Sequence, residues 1–430
     1  MTTLTMVFLF LLLLAAGMPV NFVLGSLGIG GFFFLVGGFP ALDSAALIAW
    51  SSMNSFTLTA IPLFILMGEI TLRAGFSKEL YDAVTAWFGR LPGGLSIATI
   101  IANGIFAAVS GSTAAACATM GILAAPEMER HNYKKRLTYG TLTAGGSLAI
   151  LIPPSIILIV YGSFTEQSIG KLFLAGFIPG ILLVLLFVLV IAVWTWMDPA
   201  AAPVPDERYT FKEKIIATKG IWSFGVLMLA CLGTIYAGVA TPTEAAGLGA
   251  SGSLILALVC RRLTWNNFVE SLLGTVRTTC MVLFLILGGL LLSNVLLFQG
   301  VPQQIMSFTF SLGLSNWAIL IMIYLVYLGM GCFLDGLTLM IITLPIVAPL
   351  ITNMGYSLLW FGIAMVILVE LSQLTPPVGM NLYIIRNVTN AKIEDVMLGS
   401  LPFIISMAVC LIFITIFPSW VLYLPNLIMP

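Results

Sequence analysis

The stretch "SLAILIPPSIILIVYG", residues 147–162, has the composition of a membrane helix that is interrupted at its centre. Pro153 and Pro154 lie next to each other within it, and Ser155 follows them. A proline inside a helix removes a backbone hydrogen bond and clashes with the preceding turn, at a cost of about 3 kcal/mol or more. Irregular backbone is tolerated at membrane depth only where it is buried in protein or lines a water-filled cavity. We therefore expect a broken helix beside a binding site.

The composition of the whole chain is typical of a polytopic membrane protein. Of its 430 residues, 60% are hydrophobic and only 8% are charged, and the mean hydropathy is +1.12. A soluble domain carries about 25% charged residues. The formal net charge is zero, so we expect no nucleic-acid partner. The cysteines lie in apolar segments and the single histidine lies in a charged loop, so we expect neither disulfides nor a transition-metal site.

Lysine and arginine residues fall into groups between the apolar runs, apart from a lone Lys171. The groups lie at 73–90, 130–136, 208–219, 261–277 and 386–392. Loops rich in these residues face the cytoplasm, so we place the groups inside. The segments without them, 38–50, 299–316 and 352–357, are placed outside. The apolar runs predict an all-α fold with spanning helices at roughly 3–17, 20–37, 54–72, 137–164, 172–196, 221–240, 244–260, 278–298, 358–385 and 399–424, and both termini outside.

Two segments differ from these spans, because both ends of each fall on the same side. The segment between Arg90 and Arg130 has cytoplasmic charges at both ends, but two crossings need about 40 apolar residues and fewer are present. It predicts a re-entrant hairpin with "SGST", residues 110–113, at its tip. The segment 314–352 is the mirror case and predicts a hairpin that enters from outside, with its tip near "GCFLDG", residues 331–336.

The same order of hairpin, loop and broken helix occurs twice in the chain. The second broken helix is "VELSQLTPPVGMNLY", residues 369–383, and its Pro376 lies 223 residues after Pro153 (376 − 153). The same shift takes the tip residue Ser112 to Asp335. The charges give the two copies opposite orientations. Inverted repeats with helices broken near the midplane are typical of secondary transporters, whose substrate and ion sites form at the interruptions.

These motifs also carry a family resemblance. The hairpin "SGSTAAACATMGILAAPEM", the "GG…IPPS…YG" helix and the late "TPPVG" helix resemble the large membrane subunit of TRAP transporters, the DctM-type permeases, over nearly the whole chain. The resemblance implies a separate, small four-helix membrane subunit, a periplasmic substrate-binding protein, and sodium-driven import of an organic acid across the bacterial inner membrane. It also implies an elevator mechanism, in which a transport domain that holds both hairpins moves against a fixed scaffold.

The elevator mechanism divides the chain into scaffold, arms and transport repeats. We expect scaffold helices at 1–72 and 166–298, an interfacial arm helix at 73–93, an arm segment at 299–313, transport repeats at 94–165 and 314–385, and a C-terminal helix within 386–430. A plain loop is the alternative for each arm, and it suits the first arm less well than the second.

The candidate sodium ligands lie at the tips and the breaks, because a hard cation takes oxygen ligands from hydroxyls, carboxylates and carbonyls. They are Ser110, Ser112, Thr113, Gly145, Gly146, Gly331, Asp335, Ser372, Thr375, Pro376 and Met380. Close helix packing explains Gly145 and Gly146 nearly as well. Asp335 is the most distinctive candidate, because a carboxylate at membrane depth costs at least about 2.5 kcal/mol. An aspartate before Gly336 also suits a helix N-cap.

The candidate substrate ligands are Ser110, Ser155, Asp335 and Gln373. The hydroxyl of Ser155 is expected to donate to a substrate carboxylate, beside the helix N-terminus that the proline pair frees. Glu370 is as well explained by polar packing as by ion binding. Because no arginine lies in the apolar runs to bind a carboxylate, a hydroxyl-rich acid is favoured, with sialic acid first and a C4-dicarboxylate next.

Three alternative functions rest on weaker signals. A sodium/carboxylate symporter that needs no binding protein would share this architecture. A channel could also contain hairpins, but paired hairpins favour alternating access. An intramembrane serine hydrolase is disfavoured, because no histidine or lysine lies in the apolar runs to activate a serine. We therefore expect a transporter and no enzymatic activity.

Overall fold

The structure, a computed structural model, describes residues 2–205 and 209–429. Arg208, which the charge pattern places in the cytoplasm, lies outside the described residues. The prediction of an all-α fold is confirmed, since the described residues form helices joined by short turns and include no β-strand. By length and composition, six helices of the described ranges could cross a membrane, or up to eight if two bent pairs each count as one span. The chain is therefore a polytopic helical membrane protein.

The helices have the following bounds: α1 Thr2–Ala15, α2 Val20–Gly31, α3 Phe39–Met53, α4 Ala60–Arg73, α5 Phe76–Phe88, α6 Gly94–Ser110, α7 Thr113–Arg130, α8 Lys135–Ser147, α9 Ile156–Thr165, α10 Ile169–Met197, α11 Phe211–Thr218, α12 Trp222–Met228, α13 Thr234–Tyr236, α14 Pro242–Val259, α15 Trp265–Phe298, α16 Val301–Ser311, α17 Asn316–Gly331, α18 Gly336–Asn353, α19 Leu358–Leu374, α20 Met380–Thr389, α21 Ile393–Ile416 and α22 Pro418–Ile428. π-Helical turns extend α2 over Phe32–Gly37 and join α12 to α13 over Leu229–Gly233, and a 3₁₀ turn extends α8 over Leu148–Ile150.

The two hairpins and the two broken helices form where the sequence predicts them. The first hairpin consists of α6 and α7, and the second consists of α17 and α18. The predicted span 137–164 is split into α8 and α9, and the span 358–385 is split into α19 and α20. The first arms, α6 and α17, are short apolar helices, whereas α18 is long enough to count as a span by length alone. The depth of each hairpin in the bilayer stays a prediction.

The internal repeat is confirmed at the level of helix bounds. Under the 223-residue shift, α7 maps onto α18 with both ends coinciding, and α8 and α19 begin at matching residues. The correspondence extends outward, because α5 maps near α16 and α10 maps near α21. The opposite orientation of the two copies rests on the charges alone and stays a prediction.

Two predicted boundaries were wrong. The loop expected at 38–50 is largely the helix α3. The span expected to begin at 278 begins at Trp265, because the Thr264 hydroxyl caps the helix by accepting from the Asn267 N–H at 3.1 Å. Both α3 and the start of α15 mix polar and apolar residues, which a hydropathy criterion passes over. The arm segment 299–313, by contrast, is the helix α16, which agrees with the expected interfacial helix and not with the alternative of a plain loop.

Glycine contacts attach α10 and α21 to the broken helices. A Cβ at Gly140 in α8 would lie 2.1 Å from the carbonyl oxygen of Gly399 in α21, and a Cβ at Gly399 would lie 2.0 Å from that of Arg136. A Cβ at Gly176 in α10 would lie 2.6 Å from the Leu151 carbonyl oxygen, at the first break. The backbones therefore touch, and these helices cannot shift relative to one another without losing that contact.

We expect Gly140→Ala to destabilise the protein by about 1–3 kcal/mol, because the new methyl group overlaps the Gly399 carbonyl. Gly247→Ala in α14 is the matched control, since a Cβ there meets nothing within 4 Å. Alanine raises helix propensity at both sites, so the control should melt at or slightly above the wild-type temperature. Thermal unfolding in detergent measures the difference, and a Gly140→Ala protein as stable as the control would contradict the close contact.

Arg130 and Asn353 end the second arms of the two hairpins and correspond under the shift. We expect a single cysteine at 353, in a cysteine-free background, to react with a membrane-impermeant maleimide added outside, and a single cysteine at 130 to react only after the membrane is opened. Equal external labelling at both positions would overturn the inverted orientation.

Candidate functional site

The first tip lies directly against the first broken helix. Helix α6 ends at Ser110, Gly111 turns the chain with a φ of +57°, and the Ser112 hydroxyl caps α7 by accepting from the Ala115 N–H at 3.4 Å. A Cβ at Gly111 would lie 3.0 Å from the carbonyl oxygen of Pro154. The structure thus brings the predicted tip residues and the predicted break together. The left-handed turn and the close approach both favour glycine at this position.

The polar groups at the first tip suit a hard cation. The Ser110 hydroxyl is buried and has no hydrogen-bond partner among the described residues. The carbonyl of Pro154 lies beside the tip, and a proline break leaves carbonyls without intrahelical donors. Buried polar atoms without protein partners are rare in native proteins and often mark the position of a bound water or ion. Ser110 and the break therefore fit the sodium prediction.

Asn103 is a candidate that the sequence analysis missed. It lies two turns before the tip in α6, is fully buried, and has neither side-chain atom paired within the described part of the chain. A Cβ at Gly145 would lie 2.4 Å from its Nδ2 atom, so Asn103 faces α8. Gly146 similarly makes room for Cys117, whose sulfur would lie 2.0 Å from a Cβ there. The sequence signal that could have identified Asn103 is an amide side chain in a largely apolar hairpin arm.

The second tip lies directly against the second broken helix. A Cβ at Gly331 would lie 1.9 Å from the Ser372 hydroxyl oxygen, and a Cβ at Gly336 would lie 2.7 Å from Nε2 of Gln373. The Ser372 and Thr375 hydroxyls donate at 2.6 Å to the Val369 and Leu371 carbonyls. Their oxygen lone pairs remain available as ligands.

Pro376 and Met380 are two further candidates at the second break. The carbonyl of Pro376 lies 3.8 Å from the Cys332 sulfur of the tip. Met380 begins α20 and its side chain is exposed, so only its backbone suits an ion.

Asp335 caps α18. Its Oδ1 atom accepts from the Leu337 and Thr338 N–H groups at 3.1 and 3.2 Å, and Oδ2 accepts from the Thr338 hydroxyl. The capping interpretation is therefore confirmed, and the half-buried carboxylate is compensated by three donors. A role for Asp335 in binding sodium or substrate stays a prediction.

Ser155 caps α9 and accepts from the Leu158 N–H at 3.4 Å. It is fully buried. Its predicted contact with a substrate carboxylate would therefore require the tip and the break to separate.

Contacts also join the two repeats. The Thr113 hydroxyl of the first tip donates to Oε1 of Glu370 in α19, and Nδ2 of Asn381 in α20 donates to Oε2 at 3.0 Å. In the mirror position, a Cβ at Gly336 would lie 3.2 Å from the Ile157 side chain of α9. Each tip therefore touches its own broken helix and the broken helix of the other repeat.

Two open cavities lie away from the tips. One, of about 850 Å³, lies among the ends of α9 and α14 and the start of α4, and Glu166 is its carboxylate. Another, of about 330 Å³, lies between α5 and the base of the first hairpin. Burial raises the pKa of the Asp82 carboxyl in its wall above the usual range, against the opposing effect of Lys78. The tip residues line neither of these two cavities.

Comparison with known proteins gives a consistent relationship. Residues 7–420 match the family described as "Tripartite ATP-independent periplasmic transporter, DctM component". The chain is 36% identical to the C4-dicarboxylate TRAP transporter large permease protein DctM of Pseudomonas aeruginosa, over 98% of this chain and 99% of that protein. It is 29% identical to the sialic acid TRAP transporter large permease protein SiaM of Vibrio cholerae, over 96% of each chain.

A solved structure shares the fold. The YdaH transporter of Alcanivorax borkumensis superposes with a TM-score of 0.65, covering 98% of this chain and 99% of that chain at 14% identity. At this identity the likeness concerns the fold alone.

We expect Asp335→Ala to destabilise the protein by about 0.5–2 kcal/mol and Asp335→Asn to have little effect, because asparagine caps helices about as well as aspartate. Thermal unfolding of the two variants checks the cap. Transport then separates the other roles. With equal stability to wild type, Asp335→Asn should shift the sodium dependence if the charge serves an ion, and should weaken uptake alone if the carboxylate binds substrate hydroxyls. Wild-type uptake would exclude both roles.

Proposed function

The chain belongs to the DctM component family of the tripartite ATP-independent periplasmic (TRAP) transporters, a family of transporter permeases and not of enzymes, and we propose that it is the large membrane subunit of a sodium-coupled importer of an organic acid. The family works with a small membrane subunit and a periplasmic binding protein. For this chain we propose a separate small four-helix subunit, a periplasmic binding protein and a location in the bacterial inner membrane.

The observation that carries the proposal is the pairing of each hairpin tip with a proline-broken helix. At the first pair, the buried Ser110 hydroxyl, which lacks a partner in the described part of the chain, lies close to a break with freed carbonyls. At the second pair, the Pro376 carbonyl lies beside the tip, and the Thr375 hydroxyl lies next to it in the chain, at the end of α19. Hydroxyl and carbonyl oxygens are ligands for hard cations. This arrangement supports one sodium ion at each pair, carried together with the substrate.

The packing supports an elevator in which α10 and α21 move with the hairpins. Both helices touch the broken helices through glycines, as at Gly140 and Gly399. Helices α2 and α15, which lie outside this group, are packed as closely on each other, since a Cβ at Gly28 in α2 would lie 2.5 Å from Leu291 in α15. We therefore propose a moving unit of α6–α10 and α17–α21 and a scaffold that includes α2, α4, α14 and α15. This grouping adds α10 and α21 to the transport repeats that the sequence suggests.

The substrate is proposed from the relatives and from the chemistry of the tips. The more similar relative is a C4-dicarboxylate permease by name, at 36% identity against 29% for the sialic acid permease. We therefore place a C4-dicarboxylate first and sialic acid second. The first tip carries hydroxyls, the second tip carries Asp335 and the second broken helix carries Gln373, but neither tip contains lysine or arginine. Substrate carboxylates would therefore depend on the N-termini of α9 and α20 and on the bound sodium ions for positive charge.

Uptake by proteoliposomes tests this proposal. The purified complex, with an inward sodium gradient and the loaded binding protein, should accumulate labelled succinate more than labelled sialic acid. Uptake that is equal with potassium in place of sodium would overturn the coupling. Uptake that is unaffected by omission of the binding protein would favour a self-sufficient symporter.

We expect Ser110→Ala and Thr375→Ala to raise the sodium concentration for half-maximal uptake about ten- to a hundredfold, because losing one oxygen ligand costs about 1–3 kcal/mol. Ser77→Ala and Thr71→Ala are the matched controls, since Ser77 is a buried serine without a partner among the described residues and Thr71 donates to a helix carbonyl at 2.7 Å. Sodium curves that coincide for all four variants would remove Ser110 and Thr375 from the ion sites.

A further inference from the structure

Glu370 is a buried carboxylate at the junction of the two repeats. It is 1% exposed and lies in α19, one turn before the second break. Thr113 of the first tip donates to Oε1, and Asn381 beyond the break donates to Oε2 at 3.0 Å. Glu370 thus connects the first hairpin to both halves of the second broken helix.

The contacts of Glu370 satisfy its hydrogen bonds but not its charge. Its donors are a neutral hydroxyl and a neutral amide, and among the described residues it forms no ion pair. Removing an ionised carboxylate from water without a compensating cation is very costly. Some positive charge is therefore needed at this position.

The amide oxygen of Asn381 is a second buried atom near Glu370 that lacks a partner among the described residues. Asn381 is 1% exposed, and its Oδ1 atom has no donor within the described part of the chain, although its Nδ2 atom is already committed to Glu370. The Glu370 carboxylate, the Asn381 Oδ1 atom and the Thr113 hydroxyl oxygen therefore belong to one connected group of buried side chains. The carboxylate needs a compensating charge, and the amide oxygen needs a donor or a cation.

The repeated fold does not require this cluster. Under the 223-residue shift, Glu370 corresponds to Ser147, Asn381 to Leu158, and Thr113 to Gly336. Ser147 is buried and satisfies its own hydroxyl by donating to the Ala144 carbonyl at 2.7 Å. The mirror junction therefore packs without a carboxylate, so the cluster around Glu370 has a purpose beyond packing.

We propose that Glu370, Asn381 and Thr113 form a further sodium site, which bridges the first hairpin and the second broken helix. One carboxylate, one amide oxygen and one hydroxyl oxygen are hard ligands with a single negative charge, which suits a monovalent cation. A proton on the carboxylate would cancel the charge but would leave the Asn381 oxygen, in its present orientation, without a donor. The site extends the proposed sodium coupling and differs from the tip sites in that its ligands come from both repeats.

Equilibrium binding of ²²Na⁺ to the purified full chain in nanodiscs, at constant pH, tests the site. We expect Glu370→Gln to bind one sodium ion fewer per chain than wild type, because glutamine keeps the shape and removes the charge. Glu394→Gln, at an exposed glutamate in the first turn of α21, is the control and should bind as wild type does. Asn381→Ala keeps the carboxylate and should weaken one site about tenfold through the loss of one ligand; it carries the test if Glu370→Gln does not fold.

Wild-type binding in both Glu370→Gln and Asn381→Ala would overturn the site while leaving the tip sites intact. The site would also be overturned if wild type and Glu370→Gln bound the same number of sodium ions and wild type bound one proton more than Glu370→Gln. That result would assign a proton to Glu370. If the wild-type protein bound no sodium, this site and the proposed sodium coupling would both be wrong.

Discussion

The whole architecture depends on covering two interruptions of the helical backbone inside apolar segments. Each interruption leaves carbonyls without intrahelical donors, and such groups are tolerated only when protein covers them. Here a hairpin tip packs directly against each break, with Gly111 beside the Pro154 carbonyl and Gly331 beside Ser372. The glycines are required because any side chain would hold the tip away. The same closeness brings the Pro154 carbonyl oxygen and the Ser372 hydroxyl oxygen beside the tips.

Much of this arrangement could be predicted from the sequence, because its signals are local. Adjacent prolines in apolar runs mark the breaks, charge groups mark the hairpins, and a single shift relates the two copies. The prediction failed where helix ends depend on capping, as at Thr264, and where a short apolar segment became α3. The contact between Thr113 and Glu370, which are 257 residues apart, could not be predicted either. No local pattern indicates which tip faces which break, since that depends on how the two repeats pack together.

The repeat is symmetric in backbone but not in chemistry. Asp335 at the second tip corresponds to Ser112 at the first, and both cap the helix that follows. The buried acid occurs in only one copy, at Glu370, where the first copy has Ser147. Two copies with identical side chains would give two equivalent sites. The differences allow one repeated backbone geometry to hold ligands of different charge, as the proposed co-transport of an anion with cations requires.

The surface at which the proposed moving unit meets the scaffold is consistent with sliding. Within the moving unit, backbone contacts such as that of Gly140 with Gly399 fix the helices to one another. At the first tip the scaffold presents Gly68 of α4, where a Cβ would lie 3.3 Å from the Cα atom of Ser110. Because glycine has no side chain to interlock with the tip, the tip can leave this position without displacing a side chain of α4. Under the shift, Gly68 corresponds to Leu291 of α15, which packs on Gly28 within the scaffold. The second hairpin also meets a scaffold glycine, since a Cβ at Gly289 of α15 would lie 1.9 Å from the Ile341 side chain of α18. Glycines of α4 and α15 therefore face the two hairpins, which leaves the scaffold without side chains at these contacts.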